Sequence, residues 1–436
     1  MYLLFPDVDP IIISFLEYSD FLSMRAVSKY FDNLILVENT VLARVHSIKK
    51  GFVENVNKLT HIKNLKFILK FKVRGYNFPF KNKISTIFWD EISDNVIGLD
   101  LHGDDSVSNE KIEHLIDIKY LRLSNNMTIT GDIFGKLRNI RRLDLWNNKI
   151  VMNKDIAVLS NLEVLILGNN NMVTNEGLYC LTNLMSINLQ YNKIVTGEIF
   201  KYLTNITKLN IRNNNMIRGD EFSHVNIVSL NLIDNSIITN NDISHMTNMI
   251  DLDLSNNKII NGDTIKNFTN LRILGLYCNN IITDTDINNL TSITNITLYN
   301  SSVTDIGIKH LTSLQILRCN NISGKNFKHL TNITHLDIDS HVTNERLQYL
   351  TNLKFLTIYD NDNKYDCIKN LTNITSLSVN YVSDNDIVNL TNLIELDLDC
   401  YSTVTIPYLT KIKYIHMSEE HKFYSQISNL VHIISH

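Results

Sequence analysis

The chain has 436 residues, with 41 Lys and Arg against 45 Asp and Glu, a formal net charge of -4 and 44% hydrophobic residues. That balance gives no general attraction to nucleic acid or anionic lipid, and the apolar fraction is that of a folded chain. No apolar run approaches the roughly 20 residues a bilayer span requires, and the five cysteines, Cys180, Cys278, Cys319, Cys367 and Cys400, are scattered and odd in number, which fits a reducing compartment. The start is apolar but carries Asp7 and Asp9 and lacks a basic leader or small-residue cleavage site, so it does not read as a secretion signal. A cytoplasmic protein, or a nuclear one, is expected.

Residues 1–40 follow a rhythm of their own. Asp9-Pro10 joins a capping residue to a first-turn proline and predicts a helix start. A second start falls at Ser19-Asp20, ahead of the run to Val27, and residues 28–35 continue in an apolar, helical rhythm. Three short helices in forty residues cannot bury a core alone, so they need a partner or the rest of the chain to pack on. The stretch resembles an F-box, the adaptor-binding motif of substrate receptors in cullin-based ubiquitin ligases. The matching residues are Leu4 and Pro6 at the opening, Ile12-Ile13-Ser14-Phe15-Leu16 in the first helix, Asp20-Phe21-Leu22 at the turn, and Arg25-Ala26-Val27-Ser28-Lys29-Tyr30-Phe31 at the end. It departs from the family where Phe5 separates Leu4 from Pro6, and only Asp7 matches the usual acidic residue. The resemblance implies docking on a Skp1-like adaptor, and through it on a cullin, by Leu4, Pro6, Ile12, Leu16, Val27 and Phe31. The alternative is a helical cap on whatever follows.

Residues 41–95 read as a linker and N-terminal cap. Leu59-Thr60-His61-Ile62-Lys63-Asn64-Leu65 echoes a phrase found downstream, and Lys72, Arg74, Lys81 and Lys83 interleave with Phe71, Tyr76, Phe78, Phe80 and Phe88. Aromatics among cations occur in single-strand nucleic-acid sites. A repeat array, however, needs an atypical terminal unit over its open apolar end, and the cap is the stronger reading.

From residue 96 to 436 the chain repeats the phrase Leu-Thr-Asn-Leu/Ile-x-x-Leu-x-Leu-x-x-Asn, as at Leu181-Thr182-Asn183-Leu184 followed by Ile187, Leu189 and Asn192. Aligned on the first apolar residue of the Leu-x-Leu pair, sixteen units start at Leu99 and end at Ile415. Their spacing is 22 residues with one of 21 as far as Ile296, then 19 to 21. Such a period is that of leucine-rich repeats, so the fold expected is an α/β solenoid. Leu-x-Leu alternates with period two, so its leucines face inward and its x residues line a curved parallel sheet. The order of F-box-like segment and repeats resembles the F-box/leucine-rich-repeat family.

The Asn five residues after each first leucine runs unbroken from Asn126 to Asn279 and ends at Ser301. An amide carries donor and acceptor together, so these eight are expected as a buried structural ladder. Thr174, Thr239, Thr283 and Ser383, each followed by an acid, predict helix caps and hence short helices or turns on the convex face. The Asn-x-Thr sequons, such as Asn205-Ile206-Thr207 and Asn332-Ile333-Thr334, are by-products of the repeated phrase.

No Gly-rich phosphate loop, metal-binding His pair or nucleophile elbow occurs in a suitable context. Cys319 takes a core position, and His310, His329 and His335 have places in the repeat, so no enzyme activity and no cofactor or metal is expected. The candidate target-binding face is Arg122, Arg142, Trp146, Lys208, Arg212, Tyr277, Tyr299 and Tyr359, with acids such as Asp337, Asp339, Asp397 and Asp399 toward the far end. Trp, Tyr and Arg are the types that dominate interface hot spots. The reading is a substrate receptor, a monomer before assembly, holding an unknown target protein; the alternative is a repeat scaffold with no ubiquitin link.

Overall fold

The computed structural model describes residues 31–37, 40–45, 66–71, 96–105, 107–339, 342–359, 367–379, 382–398, 411–412, 414–417 and 432–435. Leu4, Pro6, Ile12, Leu16 and Val27 lie outside these residues. The chain divides into two compact units, residues 1–226 and 227–436.

In the first unit, parallel strands follow in chain order. They are Thr40–Val45, Lys66–Phe71, Val96–Asp100, Tyr120–Arg122, Arg142–Asp144, Val164–Ile166, Ser186–Asn188 and Lys208–Asn210. A constant period places Leu121, Leu143, Leu165, Ile187 and Leu209 opposite one another in register, each no more than 2% exposed. The second unit repeats the scheme from Ser229–Asn231 through Asp251–Asp253, Ile273–Gly275, Asn295–Leu298, Ile316–Cys319, His335–Asp339, Phe355–Tyr359, Ser376–Val379, Glu395–Leu398 and Tyr414–Met417. All sixteen aligned leucines and isoleucines are buried in strands. His432–Ser435 adds a parallel strand beyond those the phrase announces. The fold is a leucine-rich-repeat coil in each unit.

One expectation is corrected at the start of the first unit. The helical rhythm read across residues 28–35 does not carry through Phe31, because Phe31–Val37 is a strand paired antiparallel with Thr40–Val45. Its Leu34-Ile35-Leu36-Val37 run suits a strand as readily as a helix, and pairing with a neighbouring strand overrides a weak local preference.

Three asparagine columns tie the repeats together. In the buried column, Asn170 Nδ2 donates to the carbonyls of Leu145 (3.2 Å) and Asn148 (2.9 Å), and its Oδ1 accepts from the N–H groups of Met172 (2.9 Å) and Val173 (3.1 Å). Asn148, Asn192 and Asn214 in the first unit and Asn257 and Asn279 in the second make the same four bonds. At Ser301 the pattern breaks: its buried Oγ has no hydrogen-bond partner, and Ser302 N–H takes the Asn279 carbonyl. The ladder nonetheless resumes one position early at Asn321, whose Nδ2 donates to the Ser301 carbonyl at 2.7 Å, so its end at Ser301 is an interruption.

The second column precedes the first by one residue and holds the left-handed turn that stops each strand. Asn125, Asn147, Asn169 and Asn213 have φ of 47° to 55° there, as do Asn256 and Asn300 at 52° and 53°. Asn tolerates this region better than other side chains. Cys278 sits in the same place with φ 52° and receives only a 3.8 Å contact from Asn300 Nδ2. Cys278→Asn is therefore expected to stabilise the protein by about 0.5–1 kcal/mol, read from urea denaturation; a loss of stability would contradict this account.

The third column is the Asn of Leu-Thr-Asn. Asn161, Asn183 and Asn205 each donate to a carbonyl one repeat back, of Arg138, Ser160 and Thr182, and Asn332, Asn352 and Asn373 do so in the second unit. The sequons at Asn205 and Asn332 thus coincide with amide nitrogens already engaged in the coil.

Opposite the strands lie single-turn helices such as Asn240–Ile243, Asp284–Ile287 and Asp384–Ile387. Asp242, Asp286 and Asp386 accept from the N–H and hydroxyl of Thr239, Thr283 and Ser383, as the spacing predicts. At Thr174 the partner differs: Asn153 of the preceding repeat bonds both its N–H and its Oγ1 at 2.8 Å. Phe134, Phe200 and Phe222 in the first unit and Phe268 and Phe327 in the second fill the core on this side.

Candidate functional site

The alternate residues of the strands form a face whose side chains stand outside the core. In the first unit, register sets three rows on it. Arg142, Val164, Ser186 and Lys208 stand in one, Asp144, Ile166, Asn188 and Asn210 in the next, and Trp146, Gly168, Gln190 and Arg212 in the third.

Arg122 is engaged within the protein. Its guanidinium reaches Asp144 at 3.0 Å and Asp100 at 3.4 Å, and its Nε also donates to Ser124 Oγ at 2.9 Å. Burial raises the Asp144 pKa, against the pull of the Trp146 N–H and Arg122. Trp146 lies against the next repeat, where a Cβ on Gly168 would fall 2.0 Å from its six-membered ring; only glycine leaves that space. Tyr191 meets the indole edge to face, with centroids 6.3 Å apart, and the Arg212 guanidinium sits 5.8 Å from the Tyr191 ring centre. The sequence reading did not select Tyr191 or Gly168. Tyr191 occupies the turn position of its repeat with φ 55°, where side chains were not assigned to the face. The available signal was a glycine one full period after the only tryptophan of the repeats.

In the second unit, Tyr277 and Tyr299 stand just after the successive strands Ile273–Gly275 and Asn295–Leu298 and meet edge to face at 6.4 Å. Tyr299 reaches across one repeat and donates its hydroxyl to Asp337. Burial raises both pKa values, and the bond to Asp337 raises that of Tyr299 further. Asp337 is therefore a partner of Tyr299 rather than an open member of an acidic pair. Tyr277 and Tyr359 are more accessible, at 48% and 57% exposed. Cys319 is wholly buried and burial raises its thiol pKa, which makes it a core residue.

His335 stacks on Phe355 with centroids 4.2 Å apart, a contact the sequence did not announce. Burial lowers its pKa below the ordinary 6.5, and Arg318 and Lys354 lower it further. A histidine with a lowered folded-state pKa supports folding above its ordinary pKa, and that support is lost as pH falls through the lowered value. His335→Gln is expected to flatten the decline in stability between about pH 7 and pH 5 seen in urea denaturation; an unchanged slope would refute the assignment.

Of the residues proposed for adaptor contact, Phe31 alone is described, at the start of the strand Phe31–Val37. Among the described residues no group of three His, Cys, Asp or Glu could hold a metal ion, and no helix is long and apolar enough to cross a membrane.

The chain matches no family model and no curated protein. Among solved structures it is similar to an internalin from Listeria monocytogenes, at 20% identity over 89% of this chain and 96% of that one, with a TM-score of 0.36. It is similar also to the functional domain of InlJ from the same organism, at 17% identity over 75% and 74%, with a TM-score of 0.42. A third is the ectodomain of the plant membrane receptor kinase GASSHO1/SCHENGEN3 from Arabidopsis thaliana, at 17% over 88% of this chain and 56% of that one, with a TM-score of 0.42. The repeating strand, asparagine turn and convex helix make this chain a leucine-rich-repeat solenoid by its own geometry.

Proposed function

We propose that the chain is a non-catalytic protein-binding receptor that holds a target protein on its strand face. Residues 1–40 deliver that target to a Skp1-like adaptor and its cullin, residues 41–95 cap the coil, and residues 96–436 bind. The observation that carries the reading is the strand face of each unit, which holds Trp146 and Arg142 in the first and Tyr277, Tyr299 and Tyr359 in the second. Few surfaces of a folded chain collect these types, which supply most interface binding energy. Tethering a target beside a conjugating enzyme raises its effective concentration, which is the whole physical contribution asked of a receptor. The protein is a monomer before assembly and works in the cytoplasm or nucleus.

The strand Phe31–Val37 favours a second reading, a scaffold with no ubiquitin link, since the end of the F-box-like stretch is there engaged in a sheet. Pull-down of the full chain and of Val27→Asp with a Skp1-like adaptor separates the two. Val27 precedes the strand Phe31–Val37 in the sequence. Capture of the full chain, lost in Val27→Asp, supports the receptor; no capture of a folded full chain leaves the scaffold.

A further inference from the structure

On the convex side, an acid of one repeat covers a glycine of the repeat before it at several places. Asp155 lies over Gly131 and Glu221 over Gly197 in the first unit, and Asp286 over Gly262 in the second, each so close that a Cβ on the glycine would overlap the carboxylate. The acid is the third residue of its turn and the glycine the first of the preceding one. An acid at that position can bond back to the residue that caps its own turn. Asp242, Asp286 and Asp386 take both the N–H and the hydroxyl of Thr239, Thr283 and Ser383.

Glu221 sits in the same place without the second donor. Its turn, Gly219–His224, is capped by Arg218, which offers an N–H and no hydroxyl. The Oε2 of Glu221 lies on Gly197, at the head of the 3-10 segment Gly197–Lys201, and is buried with no hydrogen-bond partner. A buried carboxylate oxygen without a donor disfavours the charged acid and leaves the neutral one unpenalised. The charged groups that face it are Asp220 on its own turn and Glu198 and Lys201 on the turn it packs against. Burial raises its pKa above the ordinary 4.5, and Asp220 and Glu198 raise it further, against the Arg218 N–H and Lys201.

We propose that Glu221 is a proton-operated latch between the convex turns Gly197–Lys201 and Gly219–His224, closed when the carboxyl is neutral and loosened when it is charged. Stability from this group is fully present below the ordinary 4.5 and is lost as the pH rises through the raised value. Phe200 and Phe222 pack between the same two turns, so a loosened latch loosens the core beside it. His335 acts in the opposite sense in the second unit, where support is lost as the pH falls. Acid therefore tightens the coil around Glu221 and weakens it around His335.

The test is urea denaturation and hydrogen exchange of the full chain at about pH 4.5 and about pH 7.5, with exchange corrected for the intrinsic effect of pH. Glu221→Gln keeps the shape of the neutral acid. It is expected to raise the urea midpoint at the higher pH and to slow the opening of residues 197–225 there about tenfold, with little change at the lower pH. Arg218→Thr supplies the hydroxyl that the other turns have and is expected to shrink the difference between the two pH values. Asp117→Asn, at an exposed acid of the first unit, should do neither. A Glu221→Gln chain no more stable than the unaltered protein at the higher pH overturns the latch, as does wild-type pH dependence in both Glu221→Gln and Arg218→Thr. An equal response of Asp117→Asn also overturns it, because net charge would then be the cause. Neither target nor adaptor enters these readouts, so the outcome is independent of the receptor reading.

Discussion

Asn170→Ala is expected to destabilise the fold by about 4 kcal/mol, because it removes four hydrogen bonds at once and strands buried groups that nothing else can reach. The N–H of Val173 and the carbonyl of Asn148 are the principal losses, since the Leu145 carbonyl keeps the Asn148 N–H as a partner. In a repeat array each unit is stabilised mainly by its neighbours, so the damage should be local. Hydrogen exchange should show protection falling in the repeats around Asn148, Asn170 and Asn192 before the ends of the chain respond, with the total loss read from urea denaturation. Ser301→Ala supplies the contrast. Its hydroxyl is buried without a partner, so its removal should change stability by no more than about 0.5 kcal/mol. If the two substitutions behave alike, the ladder is not what holds the repeats.

Phe200→Ala is expected to lose about 3–5 kcal/mol, the range for emptying a buried aromatic site. Phe200 belongs to the 3-10 segment Gly197–Lys201, is completely buried, and packs on Phe222 one repeat on, with centroids 5.7 Å apart. The cavity would lie between two repeats and loosen both, so exchange should rise through 197–225 together. Phe200→Leu keeps most of the volume and should recover more than half of the loss. A thermal or urea transition that moves by under about 1 kcal/mol would mean the convex side carries little of the stability.

The repeat period by itself determines the stacking of the strands. Two apolar residues every 22 can be buried together only by stacking strands in register, so the inward row from Leu99 to Ile415 follows from spacing alone. The buried asparagines were legible for the same reason: a residue that recurs in eight successive repeats marks a place where its chemistry is required. The doublets at Asn125-Asn126 and Asn147-Asn148 and the Asn of Leu-Thr-Asn were equally visible. Their separate duties, a left-handed turn and a lateral bond, were not, because both depend on which carbonyl of the previous repeat lies within reach.

What tertiary structure alone decided is the chemistry of the face. Arg122, a candidate for target binding, is held between two aspartates; Tyr299 and Asp337, 38 residues apart, form one bond; Tyr191 leaves its turn to meet Trp146. Such pairings depend on side-chain directions across strands, and the alternation of a strand says only which side a residue is on. The strand at Phe31–Val37 shows the same limit at the backbone level. Local pattern permitted helix or strand there, and pairing with the strand that follows, Thr40–Val45, chose between them.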